Sequence, residues 1–170
     1  MPIDIDKSTK ERYLFQISKY AQYFVAFLGE DITKKNNQYS KIINDYLEQL
    51  RYIEQTTLYS FLFNIFQDFE DKTINEDTLC NVLQMLVSYH IRRLLCQVQS
   101  NTLKGLYKGL YKRCFGSVQK TNENYFDMIA FTLIKELENS KDVFPTDEFV
   151  IKNLPEYKIY SSNKKLTNIY

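Results

Sequence analysis

Tryptophan is absent from this chain, histidine occurs once, and only four glycines and three prolines punctuate its 170 residues. So few breakers exclude a sandwich or barrel of short strands, because each tight hairpin needs residues that tolerate a turn. The cysteines, Cys80, Cys96 and Cys114, are widely spaced and odd in number. They read as reduced thiols of a cytoplasmic protein and not as a disulfide framework. Neither sign of charge dominates: 22 Lys+Arg stand against 21 Asp+Glu, so no whole-molecule field calls for a nucleic acid or a membrane surface. No apolar run reaches membrane-spanning length, and the opening MPIDIDKSTKE is no signal peptide. Phosphate-cradling loops of the G-x-x-x-x-G-K-[ST] or G-x-G-x-x-G type are missing too.

What the chain has in quantity is apolar residues at helical spacing, with 14 Tyr and 12 Phe among them. This predicts one all-α domain over residues 1–170, an irregular bundle of about seven helices. Its organising element is the segment from Asn75 to Val98, NEDTLCNVLQMLVSYHIRRLLCQV. There Leu79, Val82, Leu83, Leu86, Val87, Ile91, Leu94 and Leu95 define one broad buried face. Asn75 is placed to cap the helix, with Asp77 in its first turn and Ile74 set to staple onto Leu79. Arg93 projects onto the apolar arc, whereas Arg92 points away. A buried guanidinium requires a partner, and Asp147, Glu148 and Glu136 are the candidates.

Upstream, Ser8 and Glu11 make a capping box for a first helix that Gly29 stops. Its expected inner face is Leu14, Ile17, Ala21, Phe24, Val25 and Leu28. Tyr13, Tyr20, Tyr23 and Phe27 widen the apolar coverage, so this helix should pack on two sides or have a neighbour elsewhere. A second helix runs through Ile42, Ile43, Tyr46, Leu47, Leu50 and Ile53 and breaks near Gln55-Thr56-Thr57. A third carries Leu58, Phe61, Leu62, Ile65, Phe66 and Phe69.

Downstream, Ser100-Asn101-Thr102 should cap a fifth helix with Leu103, Leu106, Tyr107, Leu110 and Cys114 inward. Gly105 and Gly109 on that helix suggest the close approach of a neighbouring helix. A sixth helix is expected from about Asn124 to Asn139, with Phe126, Ile129, Ala130, Leu133, Ile134 and Leu137 on its face. Thr146 should cap a short helix that Pro155 ends, and another begins at Ser161 or Ser162.

Few residues point to chemistry. His90 lies on the apolar arc with no nucleophile set beside it, which favours a satisfied core histidine over a general base. Cys80, His90 and Cys96 lack the paired spacing of a zinc site, so no metal or cofactor is expected. Glu156-Tyr157-Lys158, with Asp142 or Asp147 upstream, matches the bare E-x-K of Mg²⁺ nucleases. It follows a proline in a loop and not a core strand, which such a site needs. Lys104, Lys108 and Lys112, with Arg113 alongside, form a basic ridge that suits contact with a DNA backbone; a solvated helix face is the plainer reading.

The run SYHIRRLLCQVQSNTLKGLYKGLYK, then FPTDEF (residues 144–149) and the closing KKLTNIY, follow one another in a set order. Over residues 73–170 this pattern resembles the helical segment of the GmrSD family, type IV modification-dependent restriction endonucleases; residues 1–72 resemble its preceding helices in pattern only. The resemblance implies a non-catalytic connector or scaffold within a phage-defence protein, and Arg92, Arg93, Pro145 and Phe149 carry over as architectural residues. Members place an N-terminal ParB-like module with a D-G-Q-Q-R motif before this segment and an HNH nuclease module after it. Neither signature occurs here, so the resemblance implies an internal piece of a larger protein, with those two modules as its partners. The alternative is a stand-alone helical module that binds another protein through Tyr13, Tyr20 and Tyr23.

Overall fold

The structure is a computed structural model, and it describes residues 6–34, 39–53, 56–99 and 101–156. Those residues form seven α-helices and no strand. They are α1 (Lys7–Leu28), α2 (Lys41–Tyr52), α3 (Tyr59–Glu70), α4 (Glu76–Leu95), α5 (Leu103–Phe115), α6 (Asn122–Phe131) and α7 (Asp147–Asn153). Short 3₁₀ turns, Ile32–Lys34, Thr56–Leu58 and Leu154–Glu156, join or extend them. The expected all-α bundle is what forms.

Helix α4 is the spine and touches α2, α3, α6 and α7. Leu79, Val82, Leu83, Leu86 and Val87 are buried along it, each contributing about 1.5–3 kcal/mol relative to exposure. At its start the Asn75 side chain accepts from the Thr78 amide at 2.9 Å. Asn122 Oδ1 then accepts from the Asn75 amide and the Thr78 hydroxyl, tying the first turns of α4 and α6 together. The helix stops at Leu95, short of Val98. Gln97 takes a left-handed φ of 53°, and the Val98 amide turns back to the Arg93 carbonyl, which ends the α-helical ladder.

Helix α1 begins one residue before the expected cap. Asp6, not Ser8, accepts from the Thr9 amide at 2.9 Å, because a carboxylate is available two residues earlier in the chain. Gly29 ends it as expected, with φ 129°. The buried face of α1 is not the expected one. Tyr23, Ala26 and Phe27 are buried, while Leu14, Ile17, Phe24 and Leu28 stay exposed. The reason lies on α3, whose Phe63 and Phe66 present rings. Tyr20 stacks on Phe63 at 5.1 Å, and Phe27 meets both Phe63 and Phe66. Rings offer α1 more area and better-matched geometry than its aliphatic stripe does. Tyr59 also donates to the Phe27 carbonyl, and Arg51 of α2 donates to that of Ala26.

Helix α6 is shorter than the range 124–139 predicted. After Phe131 the chain widens into a π-turn, Thr132–Glu136. Thr132 donates its hydroxyl to the Met128 carbonyl at 2.8 Å, and such back-bonding bends a helix. Ile129, Leu133 and Leu137 are buried as expected, but Ile134 is exposed. The helix expected from Ser161 lies outside the described residues.

Candidate functional site

Arg93 is 2 % exposed, so the buried guanidinium is real. Its expected carboxylate partners are not the ones it meets. Nη1 donates to the carbonyls of Lys141 and Val143 and to the Tyr89 hydroxyl, at 3.2, 3.4 and 3.3 Å. Nη2 donates to the Gln99 carbonyl. The nearest carboxylate is Asp142, 4.0 Å away, which also accepts from the Thr102 hydroxyl. A planar fork with several donors suits a cage of carbonyls as well as it suits one carboxylate. The position near the α4 C-terminus adds a favourable dipole. Glu136 and Glu148 take no part in this cage.

Asp147 goes instead to Arg92, Oδ1 to Nη1, at 2.6 Å. Arg92 also donates to the Pro145 carbonyl at 3.2 Å and to the Ser88 hydroxyl through Nε at 3.1 Å. The two neighbouring arginines therefore hold separate parts of one segment: Arg93 the stretch 141–143, Arg92 the stretch 145–147. Phe144 sits between, its ring 5.3 Å from Tyr89 and 5.8 Å from the Arg92 guanidinium. Thr146 caps α7 through the Phe149 amide at 3.3 Å. Pro145 contributes its carbonyl, whereas Phe149 is exposed. Beside the Arg92–Asp147 pair lies an open groove of about 550 Å³ between α2, α4 and α7, with Gln49, Gln84 and Ser88 among its walls.

His90 is buried, with Nε2 2.6 Å from the Tyr107 hydroxyl. Burial, then the nearby Arg93 charge, lowers its pKa from 6.5 to about 3. It is a neutral core histidine. Burial likewise pushes the Tyr89 phenol up to about 12. Among the described residues no group of His, Cys, Asp and Glu is arranged to hold a metal ion. Asp142 and Asp147, the carboxylates that would accompany Glu156 in a nuclease site, are engaged near Arg93 and by Arg92. Tyr157 and Lys158 lie outside the described residues.

A second polar cluster escaped the sequence reading. Asp68 of α3 is buried and accepts from Tyr111 at 2.6 Å, Tyr125 at 2.7 Å and Lys120 at 2.6 Å. Burial disfavours the Lys120 charge, but its bonds to Asp68 and Tyr111 outweigh that and raise its pKa. The signal was present, since Asp68 follows Phe61 and Ile65 at steps of four and three on the buried arc. This is a fully partnered structural carboxylate joining α3, α5 and α6.

Helix α5 buries Leu103, Leu106, Tyr107, Leu110 and Cys114, as its spacing predicts. Its start differs from expectation: Thr102 makes no side-chain cap because its hydroxyl is given to Asp142. Lys104, Lys108 and Lys112 are exposed at successive turns, about 6 Å apart along the axis. The helix carries no carboxylate of its own. Arg113 folds back along the surface and donates to the Leu106 carbonyl at 3.3 Å.

Among the described residues no helix packs against the two glycines between these lysines. A Cβ on Gly105 would meet nothing within 4 Å, and one on Gly109 would meet only the Arg113 guanidinium at 3.5 Å. The expected close helix contact there is absent, because α5 packs through its opposite face. The exposed tyrosines are likewise fewer than expected: Tyr13 is open, whereas Tyr20 is half-buried and Tyr23 buried against α3.

No described helix is long and apolar enough to cross a membrane. No protein-family model matches the chain, and neither does any curated protein or solved structure.

Proposed function

We propose that the chain is a non-catalytic helical connector of a GmrSD-like restriction protein. In this reading it holds a nucleotide-hydrolysing ParB-like module and an HNH nuclease module at a fixed separation, and it touches DNA backbone through α5. The observation that carries the reading is the meeting of the two stretches that bear the resemblance: Arg92 of the arginine pair binds Asp147 and the Pro145 carbonyl of FPTDEF. Residues that serve as a clamp fit an architectural part better than an active site.

The reading requires a D-G-Q-Q-R motif encoded upstream and an HNH module downstream, and finding neither overturns it. For the DNA contact, Lys104, Lys108 and Lys112 are exposed, none pairs with a carboxylate among the described residues, and α5 has no negative side chain. Replacing all three with alanine should weaken binding to unrelated duplexes equally. It should also flatten the dependence of log K on log salt by about 2.7, that is about 0.9 per lost phosphate contact. Unchanged binding would leave the ridge to solvent.

A stand-alone interaction module is the second reading, favoured by the uncovered apolar side of α1. Recovery of a specific protein partner, with no DNA retardation at low salt, would select it.

A further inference from the structure

The open groove beside the Arg92–Asp147 pair is lined by three helices, and its apolar lining comes from Tyr46 of α2 with Val87 and Ile91 of α4. Its volume, about 550 Å³, falls within the range of sites that hold small organic molecules. Around that apolar lining stand groups with hydrogen-bonding capacity to spare. The side-chain amides of Gln49 on α2 and Gln84 on α4 bond to nothing among the described residues. Arg92 gives Nε to Ser88 and Nη1 to Asp147 and the Pro145 carbonyl, but its Nη2 has no partner among the described residues.

Arg92 and Asp147 are the two charged residues of the lining; the other charges of α2, α4 and α7 lie outside it. The two do not weigh equally. The Asp147 side chain is 79 % exposed and screened by water, whereas that of Arg92 is 28 % exposed. The end of α4 adds little negative character, because the amides of Cys96, Val98 and Gln97 take the carbonyls of Arg92, Arg93 and Leu94. The groove therefore offers one guanidinium that already holds a carboxylate on one nitrogen and keeps the other free.

We propose that this groove binds a small organic acid, with its carboxylate on Nη2 of Arg92, its apolar body against Tyr46, Val87 and Ile91, and a polar far end at Gln84. Arg92 and Gln84 stand two turns apart on α4, about 12 Å, which sets the length of the ligand. Val150 and Ile151 of α7 line the groove from the other side, on a helix with no buried side chain. Ile151 is 69 % exposed, so a ligand body gives α7 a surface to pack on and binding steadies it. Asp147 keeps Nη1 and opposes the second anion, which makes it the residue that tunes affinity. The site shares no residue with the basic ridge of α5, and the proposal stands whether or not the chain belongs to a restriction protein.

Titration of the whole chain with biphenyl-4-carboxylate tests this, followed by NMR at the Arg92 Nε–H group and at the α7 amides. Saturation with a Kd of about 1 mM or below is expected. The neutral biphenyl-4-carboxamide and inorganic phosphate should each bind about 10-fold more weakly or worse, the first for want of charge and the second for want of an apolar body. Asp147→Asn should tighten binding about threefold by removing a like charge. Arg92→Gln should abolish it. Because that change also frees the stretch 145–147, Ser88→Glu is the second variant. One turn before Arg92, it supplies a carboxylate from the chain itself and should block binding while helical circular dichroism is kept. The proposal is overturned by the absence of a saturable shift at Arg92, by phosphate that binds as tightly as the biphenyl acid, or by a Ser88→Glu chain that binds like the wild type.

Discussion

Arg93 does more than any other side chain to fix the shape of the second half of the molecule. Its donors reach Gln99 on one side and Lys141 and Val143 on the other. Arg93→Ala would leave those carbonyls with their donors removed and should destabilise the fold by about 3 kcal/mol in chemical denaturation. Arg93→Lys should recover little, since a single ammonium cannot span both groups of acceptors. His90 predicts a pH effect of definite sign. Its folded pKa, about 3, lies below the ordinary 6.5, so on acidification the unfolded chain takes up a proton that the folded chain refuses. The stability is complete above pH 6.5 and falls as pH drops below it, by up to about 1.4 kcal/mol per unit. His90→Gln should flatten that decline between pH 6.5 and 5 in thermal melts, where carboxylates do not yet titrate.

At the scale of the helix, α5 is the least optimised. Gly105 and Gly109 interrupt it, and among the described residues no neighbour demands their smallness. Gly105→Ala should therefore raise stability by about 1 kcal/mol through backbone entropy alone, measurable as a higher denaturation midpoint. The helices with one apolar stripe, α4 and α5, were legible for most of their buried residues; on α4 the stripe overreached at Ile91, Leu94 and Leu95, which are half-buried, and missed the buried Tyr89. Helix α1 was not. It has two apolar stripes, and periodicity cannot say which one a neighbour chooses; the choice lay with Phe63 and Phe66 on α3. The burial of Arg93 followed from its register, but its cage could not, because main-chain carbonyls have no letter in a sequence. Asp68 was legible as a position on the buried arc of α3, but its partners, Tyr111, Tyr125 and Lys120, lie 43 to 57 residues further on and were not.

For the molecule as a whole, the outer half of α1 and the core of α4 should differ sharply in amide exchange. Residues 7–18, whose side chains are exposed but for the half-buried Thr9, should exchange fast, while α4 stays protected. Protection of 7–18 equal to that of α4 would contradict this. The remainder of the bundle is built mostly from helices two apart in the chain, α2 with α4, α3 with α5 and α4 with α6, while α4 also touches α3 and α7.

The Arg93 cage bears on the order in which the chain folds. Two of its bonds join residues 48 and 50 positions apart, so they close only after α5 and α6 have been laid down between them. The guanidinium then acts as a latch that engages late. Variants at Arg93 should quicken unfolding while leaving the folding rate nearly unchanged, the pattern of a contact made after the rate-limiting step.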